Sequence, residues 1–138
     1  MDDLSLVFIS GNQVENQMIE HYKKIYQHWE QIWSATFQEI EEKDRFFSDH
    51  FTRQDEVMAL FHQQECIAVC CHRIVDMALP SFKKDSYFQA WSEEAILKLT
   101  KNGSQIVIDN QISVDPNYRK LKNGMRIIEL MTYLTFRH

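Results

Sequence analysis

Apolar residues recur along this chain with two spacings, and each predicts an element. Residues 4–9 (LSLVFI) form a short apolar run that reads as a strand, broken by Gly11 and Asn12. Asn12 with Glu15 three positions later resembles a capping box. From there Val14, Met18, Tyr22, Ile25, Trp29, Ile32 or Trp33, Thr36 and Ile40 follow every three or four residues, the stripe of an amphipathic helix. Unbroken over 12–42 it would run about 46 Å, so a break near Ser34 or Thr36 is an equal expectation. Residues 42–55 are polar with Phe46, Phe47 and Phe51 embedded, a loop packed by aromatics. Val57–Phe61 and Ile67–Val75 are β-rich runs flanking His62-Gln63-Gln64-Glu65, hence a hairpin. In the second run strict alternation puts Ile67, Val69, Cys71, Arg73 and Val75 on one face. Cys66, Ala68, Cys70, His72 and Ile74 take the other.

Residues 80–90 read as irregular. Ser92-Glu93-Glu94 opens a short helix whose acids sit at the positive end of the dipole, and Asn102-Gly103 closes it. Residues 105–114 (QIVIDNQISV) alternate as a strand with Ile106, Ile108, Ile112 and Val114 facing one way; Asp115-Pro116-Asn117 ends it. A last helix starts near Gly124. The order strand, helix or two, strand, strand, helix, strand, helix predicts an α/β (α+β) fold. Its sheet is mixed or mostly antiparallel with helices on both faces. No repeat or linker divides residues 1–138, which read as a single domain.

Composition narrows the function classes. The chain is 44% apolar and carries -5 net charge, which argues against general affinity for nucleic acid or anionic membrane. No apolar run is long enough to span a bilayer. The N-terminus opens with two acids instead of the Lys or Arg of a secretory signal, so the expectation is a cytoplasmic protein. Cys66, Cys70 and Cys71 are an odd number in one segment, which predicts reduced thiols. Charge is uneven: residues 117–138 hold five bases against Glu129 alone, a local cationic end suited to a small anionic ligand.

That cationic end coincides with the segment richest in chemistry. Residues 112–125 run from a strand through a basic turn into a helix. The first amides of a helix lack internal acceptors and, with the dipole, bind anions, phosphate most often. Arg119, Lys120 and Lys122 add to that field.

Val114-Asp115-Pro116-Asn117-Tyr118-Arg119, followed by a turn and an apolar helix, resembles the acyl-CoA segment of the GNAT acyltransferase superfamily. Its pattern is Arg or Gln, two residues, Gly, one residue, then Gly or Ala. Arg119 matches the first position and Gly124 the last, while Lys122 replaces the inner glycine. The helix near 91–101, the loop holding Asp55, and Arg73 are similar to N-acyl amino acid and acyl-homoserine-lactone synthases; Gln111 stands where those enzymes usually carry Arg.

The resemblance implies an N-acyltransferase using acetyl-CoA, a longer acyl-CoA or an acyl-carrier thioester. Ile112 and Val114 would bond the pantetheine arm as an added strand. The backbone amides of Lys120, Leu121, Lys122, Asn123, Gly124 and Met125 would hold the pyrophosphate beside Arg119. A small-molecule amine would then attack the thioester directly. Asp109 is the candidate base; its alternative reading is a solvated strand carboxylate. The family continues past its phosphate helix with further strands, and residues 127–136 are apolar all round. The expectation is therefore a missing C-terminal part or a second subunit over the last helix. The competing hypothesis is a non-catalytic ligand-sensing or interaction module that dimerises through that helix.

No metal site is expected. Cys66 and Cys70 would lie roughly 13 Å apart on an extended strand, too far for one zinc, and Cys70 with His72 lacks a second pair. The cysteines read as structural thiols, and His21 and His28 as surface or rim residues.

Overall fold

The structure, a computed structural model, describes residues 3–41, 47–120 and 126–138. The chain divides into two compact units, one of residues 1–72 with 109–138 and one of Arg73–Ile108. Strands β1 (Leu4–Ile9), β2 (Glu56–His62), β3 (Glu65–Asp76) and β4 (Gln105–Val114) form a four-stranded antiparallel sheet in the order β1-β2-β3-β4. Helices α1 (Ile19–Glu41), α2 (Asp49–Thr52), α3 (Glu93–Leu99) and α4 (Ile127–Arg137) complete a mixed α+β architecture, as the hydrophobic pattern predicts.

In the first unit β2 is buried on both faces, and its alternate residues feed two cores. Val57, Ala59 and Phe61 join Ile25 and Trp29 of α1, with Phe51 of α2. Met58 and Leu60 join Ile127 and Met131 of α4 on the other face. Helix α1 runs unbroken past Ser34 and Thr36, whose hydroxyls bond to carbonyls of the preceding turn, of Gln31 (3.4 Å) and Ile32 (2.9 Å), and so are satisfied inside the helix. It begins at Ile19, later than a cap at Asn12 would place it. Gly11 donates to the carbonyl of Gln54 (3.2 Å) and accepts from the Tyr22 hydroxyl (2.7 Å), which ties down the chain just before Asn12. Phe51 fills the α1-side core while Phe47 is exposed; Phe46 lies outside the described residues.

The hairpin turn is Gln63-Gln64, with Gln63 in the left-handed region (φ 55°). Strict alternation fails just past it. His62 pairs with Glu65 and Phe61 with Cys66, but Leu60 pairs with Ala68, so Ile67 is an extra residue. Ile67 therefore joins Ala68 and Cys70 on the α4 face, and Cys66 packs with Val69 and Cys71 on the α1 face. The bulge also moves Glu56. A regular ladder from the turn would set it opposite Cys71; the shifted one sets it opposite His72.

In the second unit Val75, Met77, Phe88 and Ile108 form a core with Phe82, Ile96 and Ile106 around it. The stretch 80–90 is two short 3-10 turns, Pro80–Lys84 and Ser86–Phe88. Ser92 caps α3 by accepting from the Ala95 amide (3.1 Å). Arg73 pairs with Asp85, whose carboxyl that guanidinium and the Tyr87 amide hold below the usual carboxylate range.

A side chain at position 11 has no room. An added Cβ would sit 2.3 Å from the Phe51 carbonyl oxygen and 2.8 Å from that of Gln54, both backbone atoms. Gly11→Ala should destabilise the protein by about 1–3 kcal/mol, read from urea unfolding. A Gly11→Ala variant as stable as the parent would show that this approach does not constrain the fold.

Candidate functional site

Strand β4 positions the site through one irregular residue. Asp109 lies on the α4 side of the sheet near His72 and Cys70. Ile112 and Val114 pack into the α4-side core as well. Residues three apart cannot share a face in a regular strand. Between them Gln111 adopts φ 49°, a left-handed conformation that costs a non-glycine residue about 1–3 kcal/mol. Two tryptophans of α1 hold it there. The Trp29 indole donates to Gln111 Oε1 (2.8 Å), and the Trp33 indole reaches its backbone carbonyl at 3.4 Å. Ile112 and Val114 therefore do not share a face with Ile106 and Ile108, as plain alternation would have it.

Around Asp109 four elements bring titratable groups together. His72 is buried, with Nδ1 3.0 Å from Glu56 Oε1 and Nε2 3.6 Å from Asp109 Oδ1. The other Glu56 oxygen meets Nε2 of His138 (3.0 Å), whose ring stacks on Phe8 at 4.0 Å. Thr135 Oγ1 lies 3.5 Å from His72 Nε2 and gives its own proton to the Met131 carbonyl (3.1 Å). Cys70 adds its sulfur to the same group. Burial first, and then the Asp109 charge, push the Cys70 thiol up to about 12, against a smaller opposing effect of the Thr135 hydroxyl. Burial raises Cys66 to about 12 and Cys71 too. All three cysteines are free thiols, and as such are poor nucleophiles at neutral pH.

Past β4 the chain turns through Pro116–Tyr118. Asp115 accepts from the Asn117 amide (2.8 Å), and the Tyr118 hydroxyl donates to Glu65 (3.3 Å). Lys120 bridges to Arg126, and the Ile127 amide donates to the Arg119 carbonyl (3.2 Å), so residues 119–120 and 126–127 lie side by side. Leu121, Lys122, Asn123, Gly124 and Met125, the core of the expected phosphate loop, lie outside the described residues. Helix α4 is described from Ile127, with Arg126 at its N-cap. The Glu129 carboxylate accepts from the Arg126 amide (3.4 Å) and pairs with its guanidinium Nε (2.8 Å).

Among the described residues no strand pairs along the outer edge of β4. A cavity of about 320 Å³ opens there, lined by Ile32, Ile112, Ser113, Val114, Arg119, Arg126 and Ile128. The Ser113 hydroxyl is buried and, among the described residues, has no hydrogen-bond partner. The structure thus gathers three of the sequence-predicted residues, Ile112, Val114 and Arg119, around one cavity, and places Asp109 three residues upstream. Lys120 is not among its lining residues. The sequence reading missed Glu56 and Ser113, and it named His72 beside Cys70 without the acids that the register brings to it.

A second, polar cavity of about 790 Å³ lies among Lys24, His28, Glu65, Asp115 and Tyr118. His28 is buried instead of lying on the rim, with Nε2 unpartnered among the described residues. Burial lowers its pKa, against the charge of Asp115 and the backbone of Ser113 and Cys66.

No protein-family model matches the chain, and no curated protein matches it. Among solved structures it is similar to an aminoglycoside acetyltransferase from an uncultured soil metagenomic sample, solved with sisomicin and with trehalose. Identity is 12% over 99% of this chain and 72% of that one in both, with TM-scores of 0.46 and 0.47.

The unfolded chain binds a proton at His28 more readily than the folded one, since the folded pKa lies lower. The stability held above the ordinary histidine pKa, about 6.5, should fall as pH drops through and below it, by at most about 1.4 kcal/mol per pH unit for one proton. Urea unfolding at pH 7.5, 6.0 and 5.0 should show this slope flattened in His28→Gln. An identical pH dependence in parent and variant would remove His28 from the account.

Proposed function

We propose that the protein binds an acyl thioester of coenzyme A along the open edge of β4 and transfers the acyl group to an amine. The observation that supports this is the cavity chemistry: apolar walls from Ile32, Ile112, Val114 and Ile128, and two guanidinium groups, Arg119 and Arg126. That combination suits an apolar arm ending in an anion. The unpartnered Ser113 hydroxyl gives an amide of the arm a bonding group, and the free edge of β4 gives it a backbone ladder. From Val114 back to Asp109 is at most about 17 Å, the length of a fully extended strand, so a thioester whose phosphate end meets the arginines would extend toward the Asp109 carboxylate.

Asp109 is then the base. The amine nitrogen forms the new C–N bond as the C–S bond breaks; the amine proton passes to Asp109, and the thiolate leaves and is reprotonated from solvent. Fold class, acyl-CoA use and a cytoplasmic setting form one consistent reading with this chemistry.

Calorimetric titration with acetyl-CoA and longer acyl-CoAs should show one site, weakened about tenfold or more in Arg119→Ala and in Arg126→Ala. Asp109→Asn should keep the acyl-CoA affinity and lose thiol release by about 10²–10⁴-fold with a responsive amine. No binding of any acyl-CoA by the parent protein would overturn the reading. Binding without turnover across amines would leave a ligand-sensing module.

A further inference from the structure

We propose that Cys70, His72 and Asp109 form a binding site for a borderline transition-metal ion, Zn2+ by chemical class. Their donor atoms, one sulfur, one imidazole nitrogen and one carboxylate oxygen, all lie within 4.8 Å of one another. The 3.6 Å between His72 Nε2 and Asp109 Oδ1 is longer than a normal hydrogen bond. It is close to the separation of two ligands on one tetrahedral ion with bonds of about 2.0–2.1 Å.

The surroundings of His72 favour an ion over a hydrogen bond. In the neutral tautomer that donates Nδ1–H to Glu56 at 3.0 Å, Nε2 presents its lone pair outward. Both polar neighbours that Nε2 faces, at 3.5 and 3.6 Å, then lack a proton to offer: the Thr135 hydroxyl has committed its own to Met131, and Asp109 is a carboxylate. A metal ion satisfies nitrogen and carboxylate together. A carboxylate behind the ligating imidazole is the usual outer partner that orients such a histidine. Cys70 and His72 project from the same face of β3 and Asp109 from β4, so the donors stand on paired strands. Partly exposed Asp109 leaves an entry path and a fourth position for water. On binding, the Cys70 thiol yields its proton to solvent.

This inference does not rest on acyl transfer, since its test contains neither thioester nor amine. Co2+ alone, titrated into the full chain under reducing conditions, should bind one per chain. It should give the visible absorption of a tetrahedral site and a thiolate-to-cobalt charge-transfer band, both displaced by Zn2+. Cys70→Ser should abolish the charge-transfer band. Asp109→Asn, a partly exposed position, should keep the circular dichroism of the parent and weaken Co2+ binding tenfold or more. His72→Gln should do the same to the affinity. Absence of the band in the parent protein, its persistence in Cys70→Ser, or unchanged affinity in Asp109→Asn would each overturn the proposal.

Discussion

The left-handed residue in β4 is the constraint on which the candidate site depends. A strand alternates its side chains, so without the irregularity at Gln111, Asp109 and Ile112 would point to opposite faces. The bond from Trp29 and the weaker one from Trp33 offset much of the conformational cost, each hydrogen bond contributing about 0.5–1.5 kcal/mol net. Trp29 is fully buried, and its indole nitrogen needs a partner there. The core thus requires the glutamine at this place as much as the glutamine requires the tryptophan. Helix α1, on one side of the sheet, thereby governs which residues appear on the other.

The bulge at Ile67 acts in a similar way one strand over. It sets Glu56 opposite His72 and moves Cys66 into the α1-side core. One left-handed residue and one extra residue in neighbouring strands therefore decide which side chains stand beside Asp109 and His72. Neither is stabilised by anything visible as a local motif.

That difference explains what could be read from the residues alone. The hairpin, the span of β4 and α3 with its Ser92 cap follow from local periodicity and end signals, and they appear as read; the faces assigned along β3 and β4 do not, because each strand carries one irregular residue. The continuity of α1 stayed open between one helix and two, because Ser34 and Thr36 look like interruptions until their hydroxyls are seen bonding the preceding turn. The pairing of Asp109 with His72 depends on the register of β4 against β3, and Thr135 joins only through the docking of α4. Lone histidines at 28 and 72 carry no local sign of burial. That Ile112, Val114 and Arg119 stand close together was legible, because strand and turn are contiguous there; that they edge a cavity was not. Nor was its buried Ser113.

Asp109 also limits how many roles the site can hold at once. A carboxylate that coordinates a cation through one oxygen is a weaker base at the other, so an occupied metal site disfavours Asp109 as acceptor of the amine proton on the same molecule. Cys70 sharpens the contrast. Without an ion the thiol stays protonated and inert, held up by burial and by the same Asp109 charge. With an ion the cation cancels both causes, and the sulfur becomes a thiolate ligand. The strands hold the three donors in place in either state. Choice between the states therefore falls to the free concentration of the metal rather than to a rearrangement of the fold.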